Sequence, residues 1–357
     1  MQTDLTNGSV LKNIALFSLP FFLSYFLQTL YGLADLFIIG QFDGVDSITA
    51  VSIGSQIMHM ITVMIVGLSM GTTVCIAQAV GAKDKEKLRY CIGNTVTVFF
   101  IVSLLLTGLL LFFTDFIVAV VKTPDEAVAG TKEYLIICFI GIPLITAYNI
   151  VSSILRGMGD SKSPMYFIAI ACVANIILDY VFIGYFKLGA VGAALGTTLS
   201  QGISVICALT YINRNNSSDS FSFAYLKLKG NIAKRLLRIG IPICAQDGFI
   251  QVAFMVITVI ANMRGLTDAA AVGIVEKLIS FIFLVPSSML STVSAMGAQN
   301  IGAGKIDRAK QTLRYAIFIT FIFGVIVGIL FQFIAENALE LFTENHSVIV
   351  SGGKYLQ

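Results

Sequence analysis

Apolar residues in this chain come in runs of about twenty or more, broken only by short polar stretches, and this pattern limits the fold more than any other feature. A run of that length crosses a hydrocarbon core as a helix, and in lipid every backbone N–H and C=O must be satisfied within the segment or in a closed barrel. Barrel strands would show alternating segments of about ten residues. The runs here are continuous, so the expected class is all-α and integral to the membrane. Composition agrees: 57% of the 357 residues are hydrophobic and 12% are charged, against about 25% charged in soluble domains.

Nine spans are expected, at about 11–40, 48–80, 90–113, 134–155, 164–186, 189–212, 236–263, 269–298 and 311–335. Leu11 opens a full-length run rather than the short apolar core of a cleavable signal peptide, so the first helix is expected to stay. Pro20 lies inside that run and supplies a cause for a bend. Cys75, Cys91, Cys138, Cys172, Cys207 and Cys244 fall in apolar runs without CxxC or metal-ligand spacing, and read as small packing residues. His59 and His346 are too far apart in sequence to indicate a metal site.

Lysine and arginine set the orientation. Seventeen fall in connections on one side, among them Lys83 to Arg89, Arg156, Lys227 to Arg238 and Lys305 to Arg314, and five fall on the other: Lys122, Lys132, Lys187, Arg264 and Lys354. The N-terminus is therefore expected in the cytoplasm, in a multi-pass protein of the plasma membrane. Topology accounts for the net charge of +3, and nucleic-acid binding has no support.

An internal repeat lies beneath the spans. An offset of 221 residues aligns Ala50-Val51-x-Ile53 with Ala271-Val272-x-Ile274, and Ala77-Gln78-x-x-Gly81-Ala82 with Ala298-Gln299-x-x-Gly302-Ala303. Tyr134-Leu135 pairs with Tyr355-Leu356 in the same register, and Pro20 pairs with Pro242 after a one-residue slip. The domains expected are copy one over 1–213, a cytoplasmic linker over 214–235 and copy two over 236–357. Asn215 to Ser220 marks the clearest boundary. An even repeat of six helices enters the membrane twice from the same side, giving parallel bundles that face a central cleft. By the offset, copy two would continue about 75 residues past Gln357, so the second bundle is expected to hold three helices and the start of a fourth.

Ionisable groups at membrane depth are costly and mark candidate sites. Asp35 lies in the non-cytoplasmic half of the first helix between apolar residues. The bland alternative is a carboxylate reaching the outer interface, since Gln41 is six residues on, about 9 Å at helical rise. Asn175 and Asp179 are four apart and share one helical face, so they can aim a carboxamide and a carboxylate at one point. Oxygen ligands of that kind suit a hard cation. Thr197, in Gly196-Thr197-Thr198, adds a hydroxyl, with close helix packing as the alternative. Two embedded carboxylates in one bundle repel each other, so the pair should respond to a proton or a small cation. In copy two the embedded acids are Asp247 and Glu276, and the position equivalent to Asp35 is Ile257. Asp247 and Glu276, with Gln28 on the first helix, are the candidate substrate contacts; helix packing would serve Asp247 equally, and a nearby basic partner is expected for Glu276.

With these residues in place the chain resembles the multidrug and toxic compound extrusion (MATE) family, whose members have twelve helices in two lobes of six. The resemblance spans the whole chain and rests on four features. These are Pro20 with Asp35, Ala77-Gln78-x-x-Gly81-Ala82, the run Leu155-Arg156-Gly157-Met158-Gly159-Asp160-Ser161-Lys162-Ser163-Pro164, and Gln299-Asn300-Ile301-Gly302-Ala303-Gly304. It implies a cation-coupling site at Asp35, Asn175, Asp179 and Thr197, able to take H⁺ or Na⁺, with the backbone carbonyl of Ala193 beside it and a bend at Pro20. It also implies a monomeric antiporter without a cofactor that exports organic cations, drugs or other toxic compounds by alternating access. C-lobe coupling stays unassigned, because this chain offers Asp247 without a full tenth helix.

Two other classes compete. A flippase of the same superfamily would carry a lipid-linked saccharide or another amphiphile, and such proteins often line the cleft with basic residues. The expected spans here hold almost none besides Lys277. An intramembrane enzyme would need a nucleophile with its base or a metal set, and neither HExxH nor GxSxG occurs.

Overall fold

The computed structural model describes residues 4–214, 223–340, 342–343 and 345–356, and among these the chain is helical with no strand. Copy one contains α1 (Val10–Phe42), α2 (Val45–Gly81), α3 (Lys85–Phe112), α4 (Thr114–Val120), α5 (Val128–Ile140), α6 (Ile142–Gly157), α7 (Lys162–Asp179) and α8 (Gly189–Arg214). Copy two contains α9 (Gly230–Arg264), α10 (Leu266–Ile282), α11 (Leu284–Gly302), α12 (Ile306–Glu340) and α13 (His346–Leu356). Among the described residues, eight helical segments are long and apolar enough to cross a membrane, and α5 with α6 makes a ninth across a 46° bend. The protein is a multi-pass membrane protein. The expected boundary Asn215 to Ser220 lies outside the described residues, and α9 begins at Gly230, inside the segment expected to be linker.

Two expected spans prove to be broken. The run at 134–155 divides at Gly141, where a Cβ would lie 2.5 Å from Thr198 Cγ2, and Pro143 opens the next helix without an N–H for the carbonyl of Phe139. The run at 269–298 divides at Phe283, because Pro286 cannot donate to the carbonyl of Ile282, where α10 ends. At the 221-residue offset copy one has Ile65 in place of Pro286, and α2 continues unbroken. Proline acts differently in α1, which remains one helix through Pro20 while Ser24 Oγ donates to the Pro20 carbonyl at 2.8 Å.

The core of copy one has two layers. Residues of α2, α5 and α8, such as Val51, Tyr134, Leu135 and Ala193, pack toward one end, and residues of α3, α6 and α7, such as Phe99, Ile154 and Ile168, pack toward the other. Lipid would cover the large apolar side chains left on the outside, among them Phe112, Val173, Phe321 and Phe333.

The copies meet where α2 runs along α9 and α11, and where α1 crosses α11. The repeated motif makes this seam reciprocal. Gly81 packs against the carbonyl of Gln299, and Gly302 against that of Gln78, each so close that a Cβ would overlap the facing oxygen. Gly71 and Gly240 do the same at the carbonyls of Leu236 and Leu68. Only a residue without a side chain allows backbones this near. Beside them Val10, Ile14, Phe17 and Phe21 of α1 bury themselves with Ala295 and Met296 of α11.

The segments leading into each copy cross over. Residues 4–8 are held by copy two through Asn300, Lys305 and Arg308, and residues 225–229 are held by copy one through Asn94 and Thr97. These contacts lie at the end carrying the basic connections. Toward the other end, contacts continue to Met64 and Gly67 against Gly248 and Asp247, and to the Phe26–Phe281 ring pair at 6.2 Å.

Candidate functional site

Three helices of copy one converge on a buried polar cluster. α1 packs along α7 and brings Asp35 to the face that carries Asn175 and Asp179. After Asp179 the chain takes a π-helical turn, Tyr180–Tyr185, a form that recurs at functional positions. Lys187 and Gly189 then adopt positive φ (56° and 54°), which turns the chain back so that α8 lies against α7. The return sets Gly196 directly on Asp179. A Cβ at Gly196 would overlap Asp179 Oδ1 and lie 3.6 Å from Asn175 Nδ2.

The four residues expected to form the cation site therefore meet. Asp35, Asn175 and Asp179 are 3%, 1% and 0% exposed, so none of them reaches the interface, and the snorkelling alternative for Asp35 is excluded. Thr197 Oγ1 donates to Asp35 Oδ2 at 3.2 Å. Asp35 faces Asp179 and Asn175 within interaction range. Ala193 is fully buried on α8, one turn before Thr197.

Hydrogen bonding leaves this cluster unsatisfied. Asp35 Oδ1, both side-chain atoms of Asn175 and both oxygens of Asp179 are buried without a partner among the described residues. A buried polar atom of this kind calls for a ligand, a proton or water, and two facing carboxylates favour a positive one. An oxygen-rich set of two carboxylates, a carboxamide and a hydroxyl suits a hard monovalent cation or a shared proton.

Other expected contacts stand apart from this cluster. Gln28 is half-buried on α1, about two turns from Asp35. Asp247 sits in the seam between copies, where a Cβ on Gly67 would lie 2.6 Å from its Oδ2. Glu276 accepts a hydrogen bond from Thr258 Oγ1 at 2.5 Å. Its expected basic partner is thus replaced by a hydroxyl, and the neighbouring Lys277 is exposed. Arg156, counted among the rim cations, is 7% exposed, with its guanidinium 4.7 Å from the Phe21 ring centroid. Gly196 is the site residue that sequence reasoning misses. Its adjacency to Thr197, on the helix after the carboxylates, is the available signal.

Comparison with known proteins agrees with this geometry. The MatE family model matches residues 20–181 and 242–357. The chain is 31% identical over 353 residues to the probable multidrug resistance protein YoeA of Bacillus subtilis, covering 96% of this chain and 76% of YoeA. It is 26% identical over 344 residues to the multidrug export protein MepA of Staphylococcus haemolyticus, covering 96% of this chain and 76% of MepA. A crystal structure of a MATE protein in the bent conformation superposes with a TM-score of 0.89 at 25% identity, over 99% of this chain and 78% of that one. Fold, repeat and family match coincide: the chain belongs to the MATE family of transporters.

Proposed function

We propose that the chain is a cation-coupled antiporter that exports organic cations, drugs or other toxic amphiphiles in exchange for H⁺ or Na⁺. The observation that carries this reading is the buried cluster of Asp35, Asn175, Asp179 and Thr197, most of whose polar atoms lack protein partners. The names of YoeA and MepA support drug export as the task. The excess of Lys and Arg in the connections at one face supports a cytoplasmic N-terminus and cytoplasmic basic connections in a plasma-membrane protein. The protein acts as a monomer and needs no cofactor.

The cycle is alternating access. With the copies joined at the basic face, a proton or Na⁺ enters the cluster from the outer side, and its charge offsets the repulsion between Asp35 and Asp179. Binding and conformation are linked, so the cation drives the cycle only if its affinity differs between the two states. Substrate leaves the cleft to the outside, and loss of the cation favours opening at the basic face for reloading. Ethidium efflux from vesicles with imposed pH or Na⁺ gradients tests the reading. Flux that follows one gradient supports it, and flux indifferent to both contradicts it.

A further inference from the structure

The tandem repeat leaves one pair of matching helix faces covered in copy one and bare in copy two. At the 221-residue offset α3 corresponds to α12. On α3, residues 225–229 lie across the helix face near the basic end. A Cβ on Gly93 would overlap the carbonyl oxygen of Tyr225, Thr97 Oγ1 donates to the carbonyl of Leu226 at 2.8 Å, and the Arg89 guanidinium lies 5.7 Å from the Tyr225 ring centroid. The matching residues on α12 are Arg314, Phe318 and Lys310. An arginine at the glycine position bars so close a backbone, and a phenylalanine has no hydroxyl to donate. Residues 4–8, the counterparts of 225–229, bond instead to Asn300, Lys305 and Arg308.

What stays bare is a pocket of about 490 Å³ lined by Asp307, Arg308, Lys310, Gln311 and Arg314. It carries three cations against one carboxylate. None of the three is neutralised by an acid, since the one salt bridge among the described residues joins Lys132 to Asp115. Arg308 donates its terminal NH groups to two backbone carbonyls, and its buried Nε has no partner among the described residues. Away from the pocket the same face turns apolar. Lys310, Arg314, Phe318, Phe321 and Val325 follow at intervals of four, four, three and four residues, so they form one stripe. Every residue of that stripe is exposed. From Arg314 to Val325 it runs about 16 Å, the depth of hydrocarbon in one leaflet of a bilayer. Its counterpart on α3 also faces outward, with Phe100 and Leu104 exposed although all six spans of copy one are in place.

We propose that this pocket holds the headgroup of an anionic phospholipid from the leaflet at the basic face, with its acyl chains laid along Phe318, Phe321 and Val325. Guanidinium and ammonium groups without an acid partner favour phosphate oxygens, and basic pockets beside spanning helices take anionic headgroups. A soluble anion would satisfy the cations but leave the apolar stripe that continues from them uncovered. A zwitterionic lipid would cover the stripe without bringing net negative charge to the pocket. The site belongs to copy two, because in copy one the segment around Tyr225 occupies the matching face.

The chain contains no tryptophan, so a single introduced one reports the lipid beside it. Phe321→Trp puts the reporter on the stripe and Phe100→Trp puts it at the matching position of copy one, the two phenylalanines being 67% and 61% exposed. Each variant is reconstituted in phosphatidylcholine vesicles with rising fractions of brominated phosphatidylglycerol or brominated phosphatidylcholine. Phosphatidylglycerol should quench the Phe321→Trp variant with an apparent affinity about 25-fold above that of phosphatidylcholine, and adding Lys310→Gln or Arg314→Gln should each remove about fivefold of that preference. The Phe100→Trp variant should be quenched equally by both lipids. Inorganic phosphate at constant ionic strength should leave the preference in place. Equal quenching by the two lipids in the Phe321→Trp variant would overturn the proposal, and so would the same preference at both reporters or one that survives both glutamine substitutions. Loss of the preference in inorganic phosphate would show a soluble-anion site and overturn the lipid assignment. If a glutamine variant fails to insert, the comparison of the two reporters decides.

Discussion

Gly196 lies so close to Asp179 that any Cβ would occupy the place of the carboxylate's Oδ1. The aspartate can face Asp35 and Asn175 only because residue 196 has no side chain. Glycine is used here for close approach rather than for an unusual backbone angle, since it sits inside α8.

Gly196→Ala should therefore push Asp179 out of register while keeping α8 intact, as alanine is the stronger helix former. Displacing a binding group by about 1 Å can cost about a hundredfold in rate. Efflux should fall by about that factor with normal insertion and helical content, measured by transport assay and circular dichroism on the same preparation.

The reciprocal contacts of Gly81 with Gln299 and of Gly302 with Gln78 hold the copies together at the basic face. Overpacking a tight contact costs about 1–3 kcal/mol. Gly81→Ala and Gly302→Ala should each lower thermal stability in detergent by that amount. Because both mutations force the same two helices apart, the double variant should lose less than the sum of the single effects.

Arg308 donates to the carbonyls of Gly8 and Asn7 at 2.7 and 2.8 Å, and Lys305 donates to that of Thr6 at 2.8 Å. These bonds lie at the surface, so Arg308→Ala should cost about 1 kcal/mol. It should also make residues 4–8 cleavable by protease, as limited proteolysis would show. The side chain and then the backbone N–H of Thr6 hold the Asp4 carboxyl below its ordinary value. A lowered folded value contributes stability above the unfolded value and loses it as pH falls, so acidification below about 4 should loosen the same segment.

Long apolar runs made the spans legible, because membrane depth sets both their length and their composition. The breaks at Gly141 and Phe283 were not legible as breaks, since hydrophobicity continues across them and Pro143 and Pro286 are tolerated inside spanning helices. Spacing alone placed Asn175 and Asp179 on one face. Their meeting with Asp35, which is 140 residues earlier than Asn175, depends on how α1 packs along α7, and only family resemblance anticipated it. The repeat exposed the motifs around Gln78 and Gln299, but no offset says that two copies of a motif touch. Burial of Arg156 was hidden for a similar reason: its place near a helix end reads as a rim, and Phe21, which covers it, comes from another helix.

The central claim is that Asp35 carries the coupling cation, and Asp35→Asn tests it most directly by replacing a carboxylate with a neutral group of nearly the same shape. Ethidium efflux from vesicles under imposed H⁺ and Na⁺ gradients should fall to the level of protein-free vesicles, while the variant remains inserted and as helical as the native protein. Normal gradient-driven efflux by the inserted variant would contradict the account.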